Sequence, residues 1–236
     1  TARLVDSLRV QREIENKLHT EEMQRVTMEA TMDTLRLSLL QSQINPHFLF
    51  NTLNIISRMA LLEDAPTTED LIVRLANLFR YNLQSANDIV PLENELKIVE
   101  DYIVIQQIRF GDRITFTLAC DLNPADYTVP VFTMQPLIEN AVIHGISPME
   151  EGGQITVSIG RSEDCLTISV EDTGVGMSDA QVQALLTSDP LRRTHVSGLG
   201  IGNVRNRIAA HYPGSRFTIE SRLDEGTIIS ISIPLP

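Results

Sequence analysis

Leu166-Thr167-Ile168-Ser169-Val170-Glu171-Asp172-Thr173-Gly174-Val175-Gly176-Met177 is the stretch on which the fold turns. Its first five residues alternate apolar and polar with period two, the pattern of a β-strand with one buried face. The run stops at Glu171-Asp172 and two glycines, which let a backbone turn tightly and approach a ligand. The same alternation recurs in Arg113 to Leu118, Gln154 to Ile159, Arg216 to Glu220 and Thr227 to Ile233. Helical spacing separates these runs at about Met134 to Ile146, Ser178 to Leu186 and Gly202 to His211. Residues 111 to 236 thus predict an α/β unit whose strands are mostly hairpin-like in spacing, a mixed sheet with helices on one face.

Upstream the texture is helical. Leu92 to Arg109 places Leu96, Val99, Ile103 and Ile108 on an apolar stripe, and Pro91 separates it from Asp70 to Gln84, where Leu71, Leu75, Leu78, Phe79 and Leu83 recur at helical spacing. Glu63 to Thr68 is a turn or breaker stretch that joins this helix to the one before it. Such a pair predicts an antiparallel hairpin, and two hairpins complete a four-helix bundle. Residues 1 to 43 contain neither Gly nor Pro. Heptad positions a (Leu4, Gln11, Leu18, Arg25, Met32, Leu39) and d (Ser7, Ile14, Glu21, Met28, Leu35) are apolar at seven of eleven places, a coiled-coil seam interrupted by Gln11, Glu21 and Arg25. A helix of that length would reach about 65 Å, longer than a small domain is wide, so a parallel dimer arriving from upstream is expected.

The 236 residues carry 19 Lys and Arg against 31 Asp and Glu, a formal charge of −12, with 42% apolar residues. That balance excludes wholesale disorder. It also argues against nucleic-acid backbones and anionic membrane surfaces as partners, since both reward clustered positive charge. No run reaches the length of a membrane-spanning helix, so no membrane contact is expected within this segment. Cys120 and Cys165 lie far apart in strand-like runs and read as reduced core residues of a cytosolic protein. The chain opens on Thr1, and a piece of a longer protein is the expectation.

Three constellations carry chemistry. His47, Asn51, Asn54 and Arg58 fall at i, i+4, i+7 and i+11, one exposed polar stripe on a helix whose other faces hold Phe48, Leu49, Leu53, Ile55, Ile56 and Met59. Asn45 suits an N-cap and Pro46 a first helical position, which would put His47 in the first turn; alternatively Pro46 kinks a continuous helix. In the first-turn arrangement the helix N–H groups disfavour protonation of the imidazole and keep a neutral nitrogen available as a nucleophile. Second, Gln135-Pro136-Leu137-Ile138-Glu139-Asn140-Ala141-Val142-Ile143-His144-Gly145 places Asn140 and His144 on one side of an apolar helix, where an amide oxygen can serve Mg²⁺. Third, Asp172 offers an acceptor to an exocyclic amine beside Gly174 and Gly176, and Gly198-Leu199-Gly200-Ile201-Gly202 leads into a helix expected to begin near Asn203. Glycine N–H groups at a helix start form a nest for phosphates. The spacing does not match the dinucleotide fingerprint.

In order and spacing these motifs resemble the sensor histidine kinases of the LytS/YesM-like subfamily. Gln43-Ile44-Asn45-Pro46-His47-Phe48-Leu49-Phe50-Asn51 is similar to its phosphoacceptor box, Pro136 to Ala141 to its N box, Asp172 to Gly176 to its G1 box and Gly198 to Gly202 to its G2 box. The resemblance implies an α+β chain: coiled coil over 1–43, dimerisation and phosphotransfer helices over 44–110, and a Bergerat-type (GHKL) ATP-binding α/β sandwich over 111–236. It further implies ATP with Asp172 at the adenine amino group, Asn140 on Mg²⁺, the 198–202 backbone at the phosphates and residues 177–197 as a mobile lid. His47 would accept the γ-phosphoryl group and pass it to an aspartate of a response regulator receiver domain, with Asn51 positioning water in any phosphatase reaction. The whole would be the cytoplasmic part of a homodimeric, membrane-anchored receptor.

Two departures bear on this. Phe48 stands where many histidine kinases have an acid after the phosphoacceptor. Pro136 stands where the ATP hydrolases of the wider superfamily have a Glu four residues before the Mg²⁺ Asn, which disfavours water activation and favours a protein nucleophile. The competing readings are an ATP hydrolase of that superfamily and a non-catalytic nucleotide-binding dimerisation module.

Overall fold

The computed structural model describes residues 46–83, 88–162, 164–187 and 199–235. The expected coiled coil over 1–43, the Asn45 cap, Gly198 and the lid from 188 onward lie outside those residues. Two compact units divide the chain, one up to Ile55 and one from Ile56.

Helix α1 (Pro46–Leu62) ends in a Schellman turn. Asp64 adopts φ 53°, the Ala65 N–H reaches Ala60 O at 2.9 Å and the Asp64 N–H reaches Leu61 O at 3.3 Å. Asp tolerates this left-handed position better than most residues because its short polar side chain bonds locally. Helix α2 (Pro66–Asn82) starts at once, four residues earlier than its apolar stripe predicts, because Pro66 occupies the first turn, where a missing N–H costs nothing.

Strand β1 (Ile89–Pro91) leads into helix α3 (Leu92–Phe110), which Gly111 terminates at φ 59°. Arg74 of α2 donates to Asp70 at 2.8 Å and to Asp101 of α3 at 2.8 Å, and Asn77 donates to Asp101 at 2.9 Å. Asp101 is buried, so these bonds fasten α2 to α3 through a satisfied carboxylate.

The sheet contains β2 (Ile114–Cys120), β4 (Gly153–Ser162), β5 (Cys165–Asp172), β6 (Arg216–Arg222) and β7 (Gly226–Pro234), in the order β2-β4-β5-β7-β6. Only β2 and β4 run parallel; the other pairs are antiparallel, which makes the sheet mixed. A separate two-stranded ladder pairs β1 with β3 (Thr128–Pro130). Along the central strands every second residue is buried: Ile155, Val157 and Ile159; Leu166, Ile168 and Val170; Ile229, Ile231 and Ile233. Burying each such side chain is worth roughly 1.5–3 kcal/mol. The opposite face carries Thr156, Ser158, Thr167, Ser169, Ser230 and Ser232.

The covering layer includes helix α4 (Gln135–Asn140), its π-helical continuation Ala141–Ile146, and helix α6 (Leu199–His211); helix α5 (Asp179–Thr187) precedes α6. Ile201, Val204 and Ile208 give α6 its buried stripe. The two cysteines are free, as expected, but both are half-buried rather than core residues, since each sits at a strand end.

Candidate functional site

Strand β5 delivers Asp172 into the layer between sheet and helices, where the residue is 5% exposed. Its Oδ1 accepts the Gly174 N–H at 2.9 Å. Burial pushes the carboxyl up to about 6; the N–H groups of Gly174 and Thr227 oppose the rise and the charge of Glu171 adds to it. The floor beneath the carboxylate is Gly145. A Cβ there would lie 2.6 Å from Asp172 Oδ1, and one on Gly174 would lie 2.3 Å from the Gly145 carbonyl carbon, so both positions need the bare backbone.

The turn after Asp172 is sutured on all sides. Val175 N–H reaches Gly145 O at 3.0 Å, Thr173 N–H reaches Gln154 O at 3.0 Å, and Asp224 N–H reaches Val175 O at 2.8 Å. Ser221 Oγ accepts the Met177 N–H at 2.8 Å, donates to Gly226 O at 2.8 Å and lies 2.9 Å from Thr227 Oγ1. Gly176 sits at φ 62°, the left-handed region that favours glycine.

The second motif meets the first through its π turn. The predicted helix over 134–146 is present, but after Asn140 it widens: Ser147 N–H bonds Val142 O, five residues back, at 2.8 Å. Such widenings concentrate at functional sites. Here the widened turn carries exposed His144 and sets Gly145 against Asp172, while half-buried Asn140 is the last residue of the α-helical part.

Helix α6 begins at Leu199 rather than near Asn203, because buried Ile201 holds the glycine-containing turn in the helix. Gly200 and Gly202 therefore lie in the first described turn of α6. A Cβ on Gly200 would meet Pro136 at 3.5 Å, an ordinary contact, so α6 starts beside the start of α4. Asp172 and Gly174 therefore pack on the continuation of α4 at Gly145, and Gly200 on its start at Pro136. Arg205 of α6 donates to Leu186 O, tying α6 to α5.

His47, Asn51 and Asn54 lie on the part of α1 that belongs to the unit ending at Ile55, and all three are exposed, as is Arg58 further along the helix. The Asn51 amide nitrogen is 3.3 Å from His47 Nδ1 and 3.4 Å from Nε2, so it rests over the imidazole. Phe48 is 71% exposed on the neighbouring face.

Sequence reasoning passed over Glu95 of α3, which is fully buried. Its Oε1 accepts the Phe132 N–H at 2.7 Å and the Tyr81 hydroxyl, and its Oε2 accepts the Met134 N–H at 2.8 Å. A signal existed: Glu95 lies three residues after Leu92 and four before Val99, on the apolar stripe itself.

A buried carboxylate thus lies against the glycine floor at one end of α4 and its continuation, and the glycine-bearing part of α6 lies against the other end, on an α/β sandwich. Residues 35–114 match the family model described as histidine kinase, and residues 127–236 match the one described as histidine kinase-, DNA gyrase B- and HSP90-like ATPase. The chain is 36% identical over 199 residues to sensor histidine kinase YpdA of Escherichia coli, covering 84% of this chain and 34% of that one. It is 35% identical to sensor histidine kinase YesM of Bacillus subtilis (84% and 33% covered). Sensor protein LytS of Oceanobacillus iheyensis is 32% identical (92% and 36% covered). The chain belongs to the sensor histidine kinase family, in its LytS/YesM-like branch. It spans about a third of the length of these relatives.

Proposed function

We propose that this segment is the kinase portion of a two-component sensor: it binds ATP with Mg²⁺, phosphorylates its own His47 and transfers the phosphoryl group to an aspartate of a response regulator. The observation that carries the reading is Asp172, a desolvated acceptor against the bare backbone of Gly145. A donor amine can bond this carboxylate, and the hydrogen bond gains strength from the charge and the low local dielectric.

The donor set fits a nucleotide-borne Mg²⁺. Mg²⁺ binds through one or two protein oxygens plus substrate phosphates, and Asn140 offers one amide oxygen. Among the described residues no three His, Cys, Asp or Glu side chains form a cage of their own. When bound, the ion neutralises charge on the phosphates. Asn140 would hold it, the first-turn N–H groups of α6 at Gly200 and Gly202 would receive phosphate oxygens, and His144 would line the same side. His47 would attack through a neutral ring nitrogen, with the Asn51 amide fixing the ring. Positioning and fixed dipoles supply the catalysis.

Homodimerisation agrees with the apolar side chains that α1 and α2 leave exposed. Ile56, Met59 and Leu62 on α1 and Val73, Leu75 and Phe79 on α2 are large hydrophobics open to solvent, a pattern that marks interaction surfaces. Among the described residues no helix is long and apolar enough to cross a membrane; anchoring in a plasma-membrane receptor is part of the proposal.

The test follows γ-labelled ATP incubated with the chain and Mg²⁺. Label retained on the protein supports the kinase. Phosphate release without protein label would instead identify a hydrolase, and neither would identify a binding module.

A further inference from the structure

Phe132 adopts φ 58°, a left-handed conformation that non-glycine residues rarely hold without support. Three side chains from three helices supply it. Glu95 of α3 accepts its N–H at 2.7 Å, Arg207 of α6 donates to its carbonyl at 2.7 Å, and Tyr81 of α2 meets its ring edge-on with centroids 5.3 Å apart. The Arg207 guanidinium lies 5.9 Å above the same ring. Glu95 also accepts the Met134 N–H at 2.8 Å, and Met134 is the residue from which α4 starts. The buried carboxylate therefore grips the chain on both sides of the corner that launches α4, the Thr133 N–H between them also bonds it, and Tyr81 adds a side-chain hydrogen bond.

Nothing in the phosphoryl chemistry uses Glu95. We propose that Glu95, held by Tyr81, is a positioning residue for the nucleotide site: it fixes the Phe132–Met134 corner and so the direction in which α4 presents Asn140. The inference rests on the assignment of Asn140 to Mg²⁺. Its physical content is that a carboxylate accepts on both oxygens and so fits N–H groups converging from Phe132, Thr133 and Met134. A Gln at this position would turn an NH₂ group toward one of them and leave buried donors facing each other. Burial pushes the Glu95 carboxyl up against the opposing hydrogen bonds, and Arg207, whose own protonation burial disfavours and Glu95 supports, would lose that support.

The test measures binding of a non-hydrolysable ATP analogue to the full chain by calorimetry, with Mg²⁺ and with a chelator, for wild type, Glu95→Gln, Tyr81→Phe and Asp101→Asn. Residues that orient a metal ligand from behind typically change metal affinity by about 10- to 100-fold. Glu95→Gln is expected to remove most of the factor by which Mg²⁺ tightens binding, while affinity in chelator stays near wild type. Tyr81→Phe loses part of the same factor and decides the matter if Glu95→Gln does not fold. Asp101→Asn, which weakens the α2–α3 fastening away from the corner, lowers the melting temperature and leaves the factor intact. An unchanged Mg²⁺ factor in both Glu95→Gln and Tyr81→Phe overturns the inference, as does an equal loss with and without Mg²⁺. Absence of any Mg²⁺ enhancement in wild type would instead overturn the assignment of Asn140.

Discussion

Asp172 sits where its charge is expensive, and that cost makes it testable by pH. Its folded-state pKa of about 6 lies above the ordinary carboxylate value of 3.8, chiefly through burial. The folded protein therefore binds this proton more tightly than the unfolded chain does, and the contribution of Asp172 to stability rises as pH falls from about 6 toward 4. Asp172→Asn cannot titrate there. Denaturant unfolding at pH 7.5 and pH 5 should show the stability difference between wild type and Asp172→Asn moving in favour of wild type at the lower pH. Nucleotide affinity should run the other way in wild type, weakening below about pH 6 as the acceptor loses its charge, and stay flat in the variant. At neutral pH Asp172→Asn should cost about 1.5–3 kcal/mol of binding, the worth of a hydrogen bond to a charged group. The places of Asp172 and Gly174 at a strand end and of Asn140 on its helix were legible in the sequence because acids, amides and glycines bunch at element ends. Gly145, Thr227 and Ser221 were not, because their roles depend on residues 27 to 55 positions away that only the sheet register brings alongside.

Secondary elements divide in the same way. The five strands of the main sheet announce themselves by period two, and their register then follows from burying one face. Strands β1 and β3, three residues each and both ending in proline, carry too little pattern to be read. The π widening after Asn140 has no local signature; packing of Gly145 on Asp172 coexists with it. Gly176 offers the direct test of the turn that closes β5. At φ 62°, with a virtual Cβ 1.8 Å from the Arg222 carbonyl oxygen, it admits no side chain. Gly176→Ala should destabilise the fold by more than the roughly 1–2 kcal/mol of a left-handed alanine alone, because the turn must also move away from the strand end at Arg222. Equilibrium unfolding measures the loss, and nucleotide affinity should fall with it. A variant as stable as wild type would mean that the turn relaxes freely and does not fix Asp172.

For the molecule as a whole, His47, the proposed phosphoacceptor, and Asp172, in the proposed nucleotide site, belong to separate compact units, and the proposed reaction requires the imidazole to be accessible, as His47 is. The proposed chemistry leaves a phosphorus–nitrogen bond, stable in base and labile in acid, which distinguishes it from a phosphate ester on Ser, Thr or Tyr. The most direct measurement is therefore to phosphorylate the chain with Mg²⁺ and ATP, hold it at alkaline pH, and locate the added group by peptide mass spectrometry beside His47→Gln. The account predicts one acid-labile phosphoryl group on the peptide containing His47 and none on the variant. An acid-stable group, or equal modification of His47→Gln, would contradict it.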